Sequence, residues 1–188
     1  MREAVSAASA YIGVIGGSEA EEAELRLARE VGARVARAGA ALVCGGRGGV
    51  MEAACGGARE YGGLTIGVLP GLERAEANAY VEVALPTGLG ELRNGLIVRF
   101  CDAMIAIGGG WGTLSEIAFA MRTARPIVAF EPWVGSLDDV ASRAAARESG
   151  DEAGESGRGR AVLRLARDAG EAVELALSLA RDASSAPS

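Results

Sequence analysis

The residues able to do chemistry cluster in one stretch. Gly108-Gly109-Gly110-Trp111-Gly112-Thr113 is followed by Glu116, and the pair Arg93-Asn94 lies upstream. The apolar run Ala103–Ile107 leads into these glycines, and a segment with helical apolar spacing follows them. This reads as a buried strand, a loop whose backbone can approach a ligand closely, and a helix. The start of a helix carries unpaired N–H groups and the positive end of a dipole, which suits an anion such as phosphate. Arg93 and Glu116 are the polar candidates. Each also has a plain structural explanation. Thr113-x-x-Glu116 has the form of a capping box, and Arg93 fits a surface position on its helix. Trp111 is either a lid or a packing contact. Asp102, ahead of the strand, reads as a cap or a structural partner.

Two more glycine clusters follow apolar runs. Gly16-Gly17-Ser18 ends Tyr11–Ile15, and Gly45-Gly46-Arg47-Gly48-Gly49, with Met51 close behind, ends Ala40–Cys44. A single cluster needs only a tight turn to explain it. Three at strand ends favour a phosphate or nucleotide site, because open parallel sheets bind ligands at the carboxyl ends of their strands. The site is not a P-loop, since no cluster is followed by Lys-Ser/Thr. A dinucleotide fingerprint also fails. Met51 stands where the third glycine belongs, and no acidic residue ends Ala40–Cys44 to hold a ribose.

Composition narrows the chemistry further. The 188 residues contain no His, and all basic residues are Arg. Ser-His-Asp and Cys-His catalysis, a Schiff-base lysine and a His-ligated metal are all excluded. No metal centre is expected. Cys44, Cys55 and Cys101 show no C-x-x-C spacing, and Met1–Ala10 lacks the features of a secretory signal. This predicts reduced thiols and a cytoplasmic protein. The net charge of −6 argues against a nucleic-acid partner. No apolar run is long enough for a membrane span.

The elements that must hold these residues alternate. A helix is predicted from the capping box Ser18–Glu21 to Gly39, and another over Val50–Tyr61, each following one of the first two apolar runs. Leu64–Leu69 is a strand, Leu72–Ala79 a polar loop, and Tyr80–Leu85 a short strand near an edge. Leu89–Phe100 reads as a helix and Pro126–Phe130 as another strand. Ala161–Ala166 is either a last strand or the start of a helix. Asp168 and Glu171 form a second capping box ahead of a terminal helix, Ala172–Arg181. Such alternation implies a parallel sheet covered on both faces. One domain over 1–188 is expected. Met1–Ala10 reads as a loose arm and Ala183–Ser188 as a frayed tail. Val134–Arg160 reads as a mobile loop with a short helix near Leu137–Arg147.

The order of Gly16-Gly17-Ser18, Cys44–Met51, Ile66–Pro70, Arg93-Asn94, Asp102-Ala103, Gly109–Thr113 and Glu116 resembles the LONELY GUY family, long labelled lysine decarboxylase-like. The resemblance spans roughly Tyr11–Phe130. It implies a Rossmann-like fold, that is, a doubly wound parallel sheet in a three-layer α/β/α sandwich, and a homodimer or homotetramer. In hydrolase members it implies cleavage of the N-glycosidic bond of AMP or cytokinin nucleoside monophosphates. Arg93 and Glu116 are then catalytic, and Gly109–Thr113 holds the 5′-phosphate. One departure matters. The motif's proline is Gly108 here. With Arg93-Asn94, this resembles a side branch that includes molybdenum cofactor carriers. The implied function is a carrier holding cofactor phosphate or molybdate at the glycine loop, with the phosphoribohydrolase as the alternative. The implied ligand is molybdenum cofactor, molybdate, phosphate or AMP. The residues expected to bind it are Gly16, Gly17, Ser18, Gly45, Gly46, Arg47, Gly48, Met51, Arg93, Asn94, Gly109, Gly110, Trp111, Gly112, Thr113 and Glu116. Decarboxylase chemistry finds no support, because there is no lysine to carry pyridoxal.

Overall fold

In a computed structural model, residues 8–130 and 162–185 are described. In chain order their strands are β1 (Tyr11–Gly16), β2 (Ala41–Cys44), β3 (Thr65–Leu69), β4 (Val83–Pro86), β5 (Ala103–Ile107), β6 (Ile127–Ala129) and β7 (Leu163–Leu165). The helices are α1 (Glu22–Arg37), α2 (Val50–Glu60), α3 (Asn94–Phe100), α4 (Trp111–Arg122) and α5 (Ala169–Ser185). The strands form one sheet in the order β4-β3-β2-β1-β5-β6-β7. Every pair is parallel. A parallel sheet needs cover on both faces, and the central strands are accordingly apolar along their whole length. β2, β3 and β5 are buried throughout.

Alternation along the strands separates two cores. Ile12, Val14, Leu42, Ile105 and Ile107 pack with Ala28, Val31 and Val35 of α1, Val50 and Ala54 of α2, and Ala172, Val173 and Ala176 of α5. Ile15, Val43, Ile66, Val68, Met104 and Ala106 pack with Ile97 and Val98 of α3 and Ile117 and Ala120 of α4. This is the expected doubly wound Rossmann-like sandwich. The second face has less cover. Leu92, Leu96 and Phe100, at helical spacing, are exposed there, as is Phe119 of α4. On edge strand β4, Val83 and Leu85 pair with Ile66 and Val68 and are also exposed.

Several expected boundaries move. Helix α1 starts after Glu21, not at Ser18. Its capping box joins Glu21 and Glu24, because a longer loop after β1 frees Ser18. The segment read as a helix over Leu89–Phe100 opens instead with a 3-10 turn, Gly90–Arg93, and only then becomes α3. The edge strand starts at Val83 rather than Tyr80. Ala161–Ala166 resolves as strand β7. Asp168 does cap α5, accepting from the Glu171 N–H at 2.9 Å. That helix runs to Ser185, through the first residues of the expected frayed tail. Of the expected arm, Ser9 is tied down, its N–H donating to the Gly39 carbonyl at 3.0 Å. The expectations for Met1–Ala7 and for Val134–Arg160, including the helix near Leu137–Arg147, lie outside the described residues. No described helix is long and apolar enough to cross a membrane.

Candidate functional site

The sheet order reverses direction between β1 and β5, the central pair. β1 leads to α1 on one face and β5 to α4 on the other, so their carboxyl ends diverge and leave a crevice. The three glycine loops meet there. Val50 N–H donates to the Gly17 carbonyl at 3.0 Å, tying the second loop to the first. The cleft between them has a volume of about 340 Å³.

Most of the predicted residues line this cleft. The first loop contributes Gly16, Gly17 and Ser18, and the second contributes Arg47 with Met51 of α2. Arg93 and Asn94 come from the 3-10 turn and α3. Gly110, Trp111, Gly112, Thr113 and Glu116 come from the third loop and α4. Gly45, Gly46, Gly48 and Gly109 stand behind the lining and shape the loops. At Gly45 a Cβ would lie 2.7 Å from Arg93 Nη2 and 2.9 Å from Met51 Sδ, so glycine makes room for the guanidinium. Gly109 has φ +110°, and a Cβ there would collide with Thr113 Oγ1. The third loop therefore folds tightly onto the first turn of α4.

Helix α4 starts at Trp111, with Gly110 as its N-cap and no side-chain cap. The first intrahelical bond is Leu114 N–H to Gly110 carbonyl, 2.9 Å. The N–H groups of Trp111, Gly112 and Thr113 precede it and have no intrahelical acceptor. Thr113 is thus inside the helix, not at its cap, and the capping-box reading of Thr113 and Glu116 is overturned. The cause is the loop geometry: Gly109 and Gly110 let the helix begin three residues earlier than a threonine cap would.

Arg93 is not a surface residue either. It is 6% exposed, as is Glu116. Arg93 Nη1 donates to Asn94 Oδ1, and Asn94 Nδ2 donates to Ser115 Oγ at 2.9 Å. Ser115 Oγ donates to the Gly112 carbonyl at 2.7 Å. This relay fixes Arg93 against the first turn of α4. Arg93 Nε is buried with no hydrogen-bond partner among the described residues. A guanidinium lining the cleft beside a helix N-terminus without a side-chain cap is an arrangement that favours an anion.

Glu116 lies 3.7 Å from Arg93, Oε1 to Nη1. Burial pushes its carboxyl up to about 8, although the Arg93 guanidinium pulls it down; the nearby Glu91 adds to the rise. At neutral pH the cleft therefore holds a charged arginine and a largely protonated acid. Trp111 is 88% exposed at the cleft mouth.

Two contributors escape a reading of motifs. Glu91 lines the cleft from the 3-10 turn. Its signal was its place two residues before Arg93. Asn78, from the polar loop, donates through Nδ2 to the Arg47 carbonyl and through its N–H to the Gly46 carbonyl, each at 2.9 Å. It staples the second glycine loop. Only the polar character of Leu72–Ala79 hinted at it.

The model of the SLOG cluster4 family matches residues 9–157. The chain belongs to that family. Among solved structures it is similar to the molybdenum cofactor binding protein of the phototrophic bacterium Rippkaea orientalis. That match has 34% identity, covers 90% of this chain and 96% of the other, and has a TM-score of 0.73. The molybdenum cofactor carrier protein of Chlamydomonas reinhardtii matches at 30% identity over 90% of this chain and 97% of the other, with a TM-score of 0.71. A cytokinin riboside 5′-monophosphate phosphoribohydrolase of Mycobacterium tuberculosis is 36% identical over 125 residues, 62% of this chain and 66% of that protein. These likenesses bear out both the expected LONELY GUY-like superfamily and the carrier branch.

Proposed function

We propose that this SLOG cluster4 protein binds a phosphorylated small molecule in the cleft and serves as a molybdenum cofactor carrier. The observation that carries the reading is the buried Arg93 lining the cleft beside the uncapped start of α4. The cofactor's phosphate, or molybdate, would take the N–H groups of Trp111, Gly112 and Thr113 together with Arg93. Backbone at Gly108 supports the carrier over the hydrolase. Its φ is +49°, a conformation proline cannot adopt. The loop thus follows a path that the proline-bearing hydrolase motif does not share. The two carrier structures point the same way.

A second reading, a nucleoside 5′-monophosphate phosphoribohydrolase, has its own support. Arg93 and Glu116 share one cleft, and the mycobacterial relative has that activity by name. In that reaction Glu116 would stabilise an oxocarbenium-like ribose or orient water, as in glycoside hydrolysis. Both readings place the protein in the cytoplasm, with its cysteines reduced. The exposed apolar residues Leu92, Leu96 and Phe100 on the thinly covered face support a homodimer or homotetramer.

Incubation in parallel with molybdenum cofactor, AMP and cytokinin monophosphates separates the two. A carrier retains cofactor through gel filtration and releases no free base. Release of adenine from AMP, abolished by Glu116→Gln, would establish the hydrolase instead.

A further inference from the structure

Cys44 closes β2, and Cys55 sits on α2 one turn beyond Met51. Their Sγ atoms are 3.5 Å apart in the buried layer behind the cleft. Both are free thiols. Cys101, the third, belongs to the core on the other face of the sheet.

The pair is chemically asymmetric. Gly46 N–H donates to Cys44 Sγ at 3.3 Å. A hydrogen bond from Cys55 draws the Cys44 thiol below its ordinary range against the effect of burial, with Gly46 and the Arg93 charge helping. Its bond to Cys44 and burial push the Cys55 thiol up. The Gly46 N–H donated to Cys44 Sγ would hold a thiolate there, which assigns Cys44 as the nucleophile and Cys55 as the resolving thiol.

Cys44 also adjoins the cleft's foundations. Gly45, the next residue, sits directly under the Arg93 guanidinium, and Met51 lines the cleft one turn before Cys55. A disulfide needs its sulfurs about 2.05 Å apart. Closing that gap would draw the end of β2 and the first turns of α2 together, beneath Arg93 and Arg47.

We propose that Cys44 and Cys55 form a reversible intramolecular disulfide on exposure to a small hydroperoxide, and that this bond weakens the cleft's hold on an anion. The second part rests on the anion-binding reading above. The Cys44 thiolate attacks one peroxide oxygen, the O–O bond breaks, and hydroxide leaves, becoming water on taking up a proton. The resulting sulfenic acid is attacked by Cys55 sulfur. The S–S bond forms, the S–O bond breaks, and water leaves with the Cys55 proton. Two thiols are oxidised and one hydrogen peroxide is reduced to two waters. A dithiol reverses the reaction. Both thiols are buried, so the oxidant must enter through a local opening of the fold.

The test treats the full chain with hydrogen peroxide, blocks remaining thiols with iodoacetamide under denaturing conditions, and digests with trypsin. Cleavage at arginine puts Cys44 in Ala38–Arg47, Cys55 in Gly48–Arg59 and Cys101 in Phe100–Arg122. The expected product joins the first two peptides, two hydrogens lighter than their sum, and is lost on adding dithiothreitol. Calorimetric titration with sulfate, a phosphate mimic, should show affinity falling at least about fivefold on oxidation and recovering on reduction. Cys55→Ala should bind as the reduced protein does before and after peroxide. Full alkylation of both thiols after peroxide, a link through Cys101, or a disulfide with unchanged sulfate affinity would overturn the proposal. So would an equal loss of affinity in Cys55→Ala, which would assign the effect to oxidation of Cys44 alone or of Met51 rather than to the disulfide. If the reduced protein ignores sulfate, the anion-binding reading fails, while the peptide result still decides the disulfide.

Discussion

Arg93 and Glu116 face each other across 3.7 Å, too far for a hydrogen bond, with both side chains almost wholly buried. A buried pair normally needs close contact to offset the loss of hydration. Here the guanidinium spends its hydrogen bond on Asn94, and the carboxyl stays largely protonated. The pair is better arranged to receive a third, anionic group than to satisfy itself.

Arg93→Met, which keeps much of the side-chain volume without the charge, should therefore separate binding from stability. Sulfate affinity should fall by about tenfold or more, since a charge-assisted donor contributes roughly 1.5–3 kcal/mol. The melting temperature should hold or rise, because an under-satisfied buried charge has been removed. Calorimetric titration and thermal denaturation check the two halves. A large drop in melting temperature would mean that Arg93 is a structural residue.

Glu116 gives the site a pH dependence of known sign. Its carboxyl gains charge as pH rises through about 8, so the cleft becomes less favourable to an anion. Sulfate keeps its charge across this range. Its affinity should decline between pH 7 and pH 9 in the native protein, and the decline should flatten in Glu116→Gln. The same group should make stability fall as pH rises. Its folded value lies above the unfolded one, so the folded state holds the extra proton between about 4.5 and 8, and that advantage is lost across this window. Chemical denaturation of the native protein and Glu116→Gln at pH 5 and pH 9 measures the difference.

Gly108→Ala should destabilise the fold. At φ +49° an L-residue costs about 1–2 kcal/mol. The new Cβ would also meet the end of the Glu24 side chain, which caps α1 by accepting from the Glu21 N–H at 2.9 Å. Losing that cap adds about 1 kcal/mol. Urea denaturation should shift accordingly, and Gly108→Pro should shift it further.

The exposed stripe of Leu92, Leu96 and Phe100 predicts a change of assembly. Leu96→Glu should move the protein from dimer or tetramer to monomer in light scattering after size exclusion. A native protein that is already monomeric would remove the basis for the assembly.

The sheet is legible because its central strands are apolar and β1, β2 and β5 run straight into glycine clusters. The three strand-end clusters mark the crevice. Helix starts were less legible. Ser18 and Thr113 both stand three residues before a glutamate, yet neither caps, because the glycines around them change where the first turn begins. Burial of Arg93 was hidden for a related reason. The 3-10 turn Gly90–Arg93 rotates it away from the face an ideal helix through Leu89 would have given it. Asn78 and Glu91 act from a loop and a turn, where no periodicity marks a side chain.

The left-handed backbone at Gly108 has a consequence for how the two chemistries of this superfamily separate. A single codon change from glycine to proline would not turn the present loop into the hydrolase one, since the backbone must be re-routed and the Glu24 side chain displaced first. Intermediate sequences would carry the strain of one loop without the contacts of the other. On the carrier reading proposed above, glycine and proline at this position would stand on opposite sides of a valley in the mutational landscape.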